Sequence, residues 1–147
     1  MPQITSFSGD HAFLSNFYPS PTPYEVVVFP SSEHAFQAAK TLDMAERRRL
    51  ADLSTPAQAK RAGRRVVLRS DWEQVKIAIM TDIVQAKFQH NHELARKLVA
   101  TANADLVEGN RHGDRFWGVC GGKGQNWLGL ILMQVRAELA NGPGVSP

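Results

Sequence analysis

Glu33, Gln37 and Lys40 are spaced so that an α-helix, turning about 100° per residue, carries all three within one narrow arc. Ala35, Ala38, Ala39 and Leu42 fall on the other side at i, i+3, i+4 and i+7. An acid, an amide and an amine on one arc suit a shared cavity. They equally suit a solvated helix face, which the segment alone favours. Glu33 falls in the first helical turn, where free backbone N–H groups and the helix dipole favour a charged carboxylate. Such a group serves as a base, a nucleophile or a cation stabiliser rather than as a proton donor.

A second stretch, "GDRFWGVCGGKGQN" at 113–126, sets Asp114, Arg115, Phe116 and Trp117 directly before a glycine-rich turn. Gly121, Gly122 and Gly124 allow backbone N–H groups to converge ahead of a helix opening near Asn126, a place able to hold a phosphate. The pattern is neither the Walker nor the dinucleotide motif, and glycine turns more often only connect. A third stretch, "HAFLSNFYP" at 11–19, gathers Phe13, Phe17 and Tyr18 around Asn16 without helical or strand periodicity. Rings beside an amide suit a planar heterocycle, stacked on its faces and read at its edge. A loop pinned to the core by its aromatics fits as well.

His11, His34, His90, His92 and His112 match no ligand spacing, so no metal or cofactor is expected. Cys120 is the single cysteine, which excludes an internal disulfide. With no evident base beside it, it reads as a small packing residue. There is no GxSxG, so acyl transfer has little support.

These residues need a scaffold. A chain of 147 residues, 43% hydrophobic, is long and apolar enough for one compact domain, expected over 1–141 with a short tail at 142–147. No apolar run reaches the roughly 20 residues of a membrane span and no signal peptide is apparent, so the expected location is cytoplasmic, with no membrane partner. The net charge of +3 tilts toward a phosphate-bearing partner.

"ITSFS" at 4–8 and "YEVVVF" at 24–29 read as strands, with the proline-rich "YPSPTP" between them as a loop or turn. Ser31 or Ser32 is positioned to cap the helix that follows. Two shorter helices follow over "MAERRRLADL" and "TPAQAKRAGRR", the second opened by Thr55 with Pro56 in its first position and closed near Gly63; their Arg and Lys residues read as solvated faces. The longest helix, "SDWEQVKIAIMTDIVQAKF", has so broad an apolar stripe (Trp72, Val75, Ile79, Ile83 and Ala86, widened by Ile77, Met80, Val84 and Phe88) that it reads as the central one. "NHELARKLVAT" is an amphipathic helix, "DLVEGN" a short strand or turn, and "WLGLILMQVRAELA" the last helix, with Asn126 as its N-cap and Gly142 just past its end. The fold class is α+β, predominantly helical with a small sheet.

In order, "FLSNFYP", "FPSSEHAFQAAK", the Gly63-Arg64 pair followed by "LRSDWEQVK", "AKFQHN", "LVEGN" and "GDRFWGVCGGKGQNWLG" resemble the NADAR family, which includes the YbiA-like proteins, from about Phe7 to Arg136. The resemblance implies a compact, mainly helical α+β domain that cleaves N-glycosidic bonds. It implies two substrate classes: ADP-ribose attached to guanine, and phosphorylated ribosylamino-pyrimidine intermediates of riboflavin synthesis. The family's glutamate falls on Glu33, its lysine on Lys40, and its acid and tryptophan on Asp114 and Trp117.

Cleaving a ribosyl C–N bond builds oxocarbenium character on the sugar, so a carboxylate near the anomeric carbon stabilises the transition state while a second carboxyl group manages protons. Glu33 and Asp114 are the expected pair. Trp117, with Phe17 or Tyr18, is expected to stack on base or sugar, and the glycine turn with Arg64, Lys76 or Lys123 to hold phosphate oxygens. Lys40 opens another route: a Schiff base with the aldehyde of a ring-opened ribose. The expected catalytic residues are therefore Glu33, Lys40 and Asp114. Asn16, Phe17, Tyr18, Arg64, Trp72, Lys76, Trp117, Gly122, Gly124 and Asn126 are the expected substrate contacts. The expected substrate is a nucleotide-like small molecule or an ADP-ribosylated nucleic acid. Two competing readings are a module that binds ADP-ribose or nucleic acid without cutting it, and a structural partner protein that uses the aromatic loops as an interface.

Overall fold

The computed structural model of the chain describes residues 2–142. Its elements run β1 (Gln3–Ile4), a 3-10 turn (Gly9–Leu14), β2 (Pro19–Tyr24), β3 (Val27–Ser31), α1 (Ser32–Ala39), α2 (Met44–Ala51), α3 (Pro56–Gly63), α4 (Trp72–His90), α5 (His92–Ala100), β4 (Asp105–Leu106), β5 (Gly109–Asn110), β6 (Val119–Cys120) and α6 (Trp127–Asn141). The fold is α+β and mostly helical, as expected, with three two-stranded sheets rather than one. The described backbone forms two compact units, Asn16–Asn91 and the described residues of the segments 1–15 and 92–147. Beyond Gly142, the expected tail lies outside the described residues. No helix among the described residues is long and apolar enough to cross a membrane.

In the unit Asn16–Asn91, β2 and β3 form an antiparallel hairpin. The prolines expected in a loop are in the strand. Pro19 and Pro21 are exposed while Ser20 and Thr22 between them are buried. A two-stranded sheet has only edges, where a residue lacking an N–H is tolerated. The turn falls instead on Glu25 and Val26, read as strand from the sequence; Glu25 has φ 53, as a tight hairpin requires. Arg47 Nη1, buried, donates to Glu25 Oε2 at 2.7 Å and fixes this turn. It is the exception to the expected solvated faces of α2 and α3.

The central helix is α1, not α4. All eight residues of α1 are buried, and it packs against β2, β3, α2, α3 and α4. Its alanines allow that close approach on several sides. Leu42, expected on the same face, lies past the helix end and is 66% exposed. In α4 only part of the stripe is fully buried, through Trp72, Ile79, Met80, Ile83, Val84 and Phe88. Thr55 opens α3 with a full capping box to Gln58 and Pro56 in the first turn, as expected.

In the other unit β1 pairs parallel with β4 and β5 parallel with β6. The strand expected over 4–8 stops at Ile4. Leu94, Leu98 and Val99 of α5 and Leu128, Ile131, Leu132 and Val135 of α6 are buried, and these helices pack together. Arg136 ties α6 to the α5–β4 connection through Thr101 Oγ1 and the Ala104 carbonyl.

Lys87, near the end of α4, is 1% exposed, and burial pushes its pKa down to about 7. An unfolded chain keeps a lysine protonated to about pH 10.4. Between those values the unfolded state binds the extra proton, so the stability cost of this group grows by about 1.4 kcal/mol for each unit that pH falls from about 10.4 to about 7, and is complete below that. Urea denaturation of the wild type and Lys87→Met at pH 7 and pH 9 checks this. The variant is expected to be relatively more stable at pH 7, with the gap narrowing at pH 9.

Candidate functional site

In the unit Asn16–Asn91, Ser31 ends β3 and caps α1, its Oγ accepting from the His34 N–H at 3.1 Å. The Ser31 hydroxyl then lies 2.6 Å from His34 Nδ1, and His34 Nε2 lies 3.0 Å from the Leu53 carbonyl. A carbonyl only accepts, so Nε2 carries the proton, Nδ1 accepts from Ser31 and the ring is neutral. Burial lowers the pKa of His34 and maintains that state. The segment Asn16–Phe17 is joined to the same turn. Ser32 Oγ donates to Asn16 Oδ1 at 2.9 Å, the Glu33 N–H donates to the Asn16 carbonyl at 3.0 Å, and Asn16 Nδ2 points at Met80 Sδ.

This frame holds Glu33, which is 7% exposed. Gln37 Nε2, one turn on, donates to Glu33 Oε2 at 2.7 Å. Gln37 is 5% exposed, and its Oε1 has no hydrogen-bond partner among the described residues. That oxygen faces Gly63 of α3, where any Cβ would run into it. The arc of Glu33 and Gln37 is therefore an interior polar face, not the solvated one that the segment alone favours.

Lys40 closes α1 and is half-buried. Its pKa lies below the ordinary lysine value, first through burial and then through the nearby cations Arg64 and Lys60, with Glu33 opposing the shift. Glu33, Arg64 and Lys60 thus all act electrostatically on Lys40. Lys60 was missed, although its spacing of four from Arg64 on α3 was the available signal. It also lies over the Phe17 ring, 5.9 Å from the centroid, and Phe17 is 41% exposed. Tyr18 is half-buried. Trp72 is buried against Phe36, with centroids 5.1 Å apart, and Lys76 is paired with Glu73 at 2.7 Å.

In the other unit, Asp114 organises its own loop. Its Oδ1 accepts from the Phe116 N–H at 3.1 Å and the Trp117 N–H at 2.9 Å, while Asn110 braces the Asp114 backbone from both sides. Phe116 stands edge-on to Trp117, 4.8 Å between centroids. Asn126 sits at the start of α6 with φ 57, yet its side chain makes no cap. It bridges to β4 instead, accepting from Glu108 N and donating to the Leu106 carbonyl, both at 2.9 Å. The loop caps the helix: Trp127 N and Leu128 N donate to the Phe116 and Trp117 carbonyls. Those N–H groups are thereby spent, which removes the helix end from the expected phosphate cradle. Gly121 and Gly122, φ 62 and 78, form the turn between Cys120 and Lys123, whose backbone groups pair with each other. Gly124 lies so close to the Gly118 carbonyl that no side chain fits. Among the described residues no three His, Cys, Asp or Glu side chains gather as metal ligands.

The NADAR domain family model matches residues 5–140. N-glycosidase YbiA of Escherichia coli (strain K12) is 43% identical over 138 residues, covering 92% of this chain and 86% of that protein. Riboflavin biosynthesis protein VVA0006 of Vibrio vulnificus is 41% identical over 133 residues, covering 88% of this chain and 36% of that protein. The NMR structure of the E. coli protein YbiA superposes with a TM-score of 0.81 at 40% identity, covering 95% of this chain and 88% of that one.

Because Gly63 leaves the room that the Gln37 side chain occupies, Gly63→Ala is expected to displace the amide from Glu33. Stability should fall by about 1–3 kcal/mol, the usual cost of overpacking, which urea denaturation measures. A variant as stable as the wild type would show that α1 and α3 separate freely.

Proposed function

This chain belongs to the NADAR domain family and is an N-glycosidase, and we propose that the bond it hydrolyses joins C1 of a ribose to a guanine nitrogen, releasing ADP-ribose from ADP-ribosylated guanine. The observation carrying this reading is the buried Glu33 carboxylate, held by Gln37 Nε2 at 2.7 Å beside a Lys40 of lowered pKa. An acid kept out of water costs stability and opposes the binding of phosphates, so a site that only bound ADP-ribose has no use for it. A reaction passing through a cationic sugar does.

As the C–N bond breaks, the electron pair leaves with the base and positive charge grows at C1. Glu33 stabilises that charge, water adds to C1, and the water's proton balances the departing base nitrogen. Arg64 and Lys60 meet the phosphates and Phe17 stacks on a planar portion. In the other unit, Asp114 sets Trp117 through the N–H bond that Trp117 donates to it.

The lowered pKa of Lys40 favours a second reading of the same chemistry. When the ribose ring of the glycoside opens, C1 is an imine to the base nitrogen; a neutral amine adds to C1, the guanine amine leaves with a proton, and water hydrolyses the resulting Schiff base to the C1 aldehyde, which recloses as ADP-ribose.

The test is incubation with ADP-ribosylated guanine nucleotide and with a phosphorylated ribosylamino-pyrimidine, products being read by mass spectrometry. Release of ADP-ribose is expected, with kcat reduced by about 100-fold or more in Glu33→Gln while the fold is retained. Turnover of the pyrimidine alone would overturn the guanine assignment, and tight binding with no release would overturn glycoside cleavage altogether. Borohydride added during turnover fixes a sugar adduct on Lys40 only if the Schiff-base route operates.

A further inference from the structure

The cations of α2 and α3 are too many for one substrate. Residues 44–65 carry seven, Arg47, Arg48, Arg49, Lys60, Arg61, Arg64 and Arg65, against Glu46 and Asp52, a net of +5 where the whole chain carries +3. Everything outside this stretch therefore nets −2. Arg47 is buried on Glu25, but Arg48, Arg49, Arg61, Arg64 and Arg65 are exposed.

Their order on α3 is informative. Lys60 and Arg64, four apart, act on Lys40. Arg61, on α3, and Arg65, in the turn just past its end, line a separate groove of 430 Å³ between α2 and α3. The groove's floor is apolar, with Leu50, Leu53 and Ala62, and its far wall is the Arg49–Glu46 pair of α2, whose carboxylate also lines it. Among the described residues neither Arg61 nor Arg65 has a carboxylate partner. The end of α3 and the turn that follows it thus carry two sets of cations, one acting on Lys40 and the other lining the groove. A single phosphorylated substrate satisfies the first row and leaves the second facing water.

We propose that the α2–α3 groove is a docking surface for the sugar-phosphate backbone of a single-stranded nucleic acid, whose neighbouring nucleotide is presented to the Glu33–Lys40 site. The proposal rests on the glycosidase reading in one respect, that the bound strand carries the modified base. Arg49, Arg61 and Arg65 meet phosphates while the apolar floor receives the flat face of a base, the pairing of charge and stacking that single-strand grooves use. Exposed Phe17, under Lys60, continues the same alternation on the Lys40 side. A single strand is favoured over a duplex because its bases are already free to leave the stack. An acidic peptide would match the charge but gains less from a flat apolar floor.

The experiment measures fluorescence anisotropy of a fluorescein-labelled, unmodified 12-nucleotide DNA strand over a salt series, using the full chain and its Arg61→Ala/Arg65→Ala variant. Both arginines are exposed, so the variant's thermal midpoint should match the wild type. Saturable binding is expected, with affinity at low salt reduced about tenfold or more in the variant and the log–log salt slope lowered by about 1.4, or about 0.7 for each phosphate released. Absence of saturable binding, equal affinity of the two proteins, or displacement of the strand by an equally charged glutamate peptide as readily as by unlabelled DNA would overturn the proposal. Hydrolysis of the ADP-ribosylated guanine mononucleotide, followed in parallel, should be the same in both proteins. Strand binding without any mononucleotide cleavage would leave this surface standing and sink the glycosidase assignment; cleavage without strand binding would do the reverse.

Discussion

Burial of α1 on every side is the constraint from which the Asn16–Asn91 unit follows. Every residue from Ser32 to Ala39 is buried, although Ser32, Glu33, His34 and Gln37 are polar. Each needs a partner inside the protein, since a polar group desolvated without one costs a few kcal/mol. His34 is satisfied by Ser31 and the Leu53 carbonyl, and Glu33 by Gln37 and by the turn that Asn16 fastens. The Gln37 oxygen is left over. An orphan acceptor retained beside a buried acid points to an amide kept for what it does to that acid rather than for the stability it adds.

The 3.6-residue period of the sequence carried the helices well: α1 through α6 fall where the apolar spacing puts them, Thr55 capping α3 as read and Asn126, read as the cap of α6, making none. What it could not carry was depth. The spacing of Glu33, Gln37 and Lys40 on one arc was readable, but whether that arc met water depended on α3, and on the absent side chain at Gly63 that lets α3 approach. Lys87 shows the same limit: the fold encloses a charge whose depth nothing in the α4 spacing announces.

Strands were read less well, because two-residue ladders such as β1 and β5 leave no periodicity to detect. The glycine-rich loop shows a different limit. Its residue types announced an anion cradle, yet most of its hydrogen-bonding capacity is turned inward: Asp114 ties Phe116 and Trp117, while the carbonyls after it close the start of α6. Donor count can be read from a sequence, but which donors remain available cannot, because that depends on the path of the backbone.

The prolines of β2 bear on a problem separate from catalysis. A free strand edge is an invitation to another chain, whose own backbone can extend the ladder without limit. In this hairpin Pro19, Pro21 and Pro23 remove donors from that margin while Ser20 and Thr22 hold the inner side. The cost of writing a strand in prolines is a weaker hairpin, and the return is a border on which aggregates cannot readily grow.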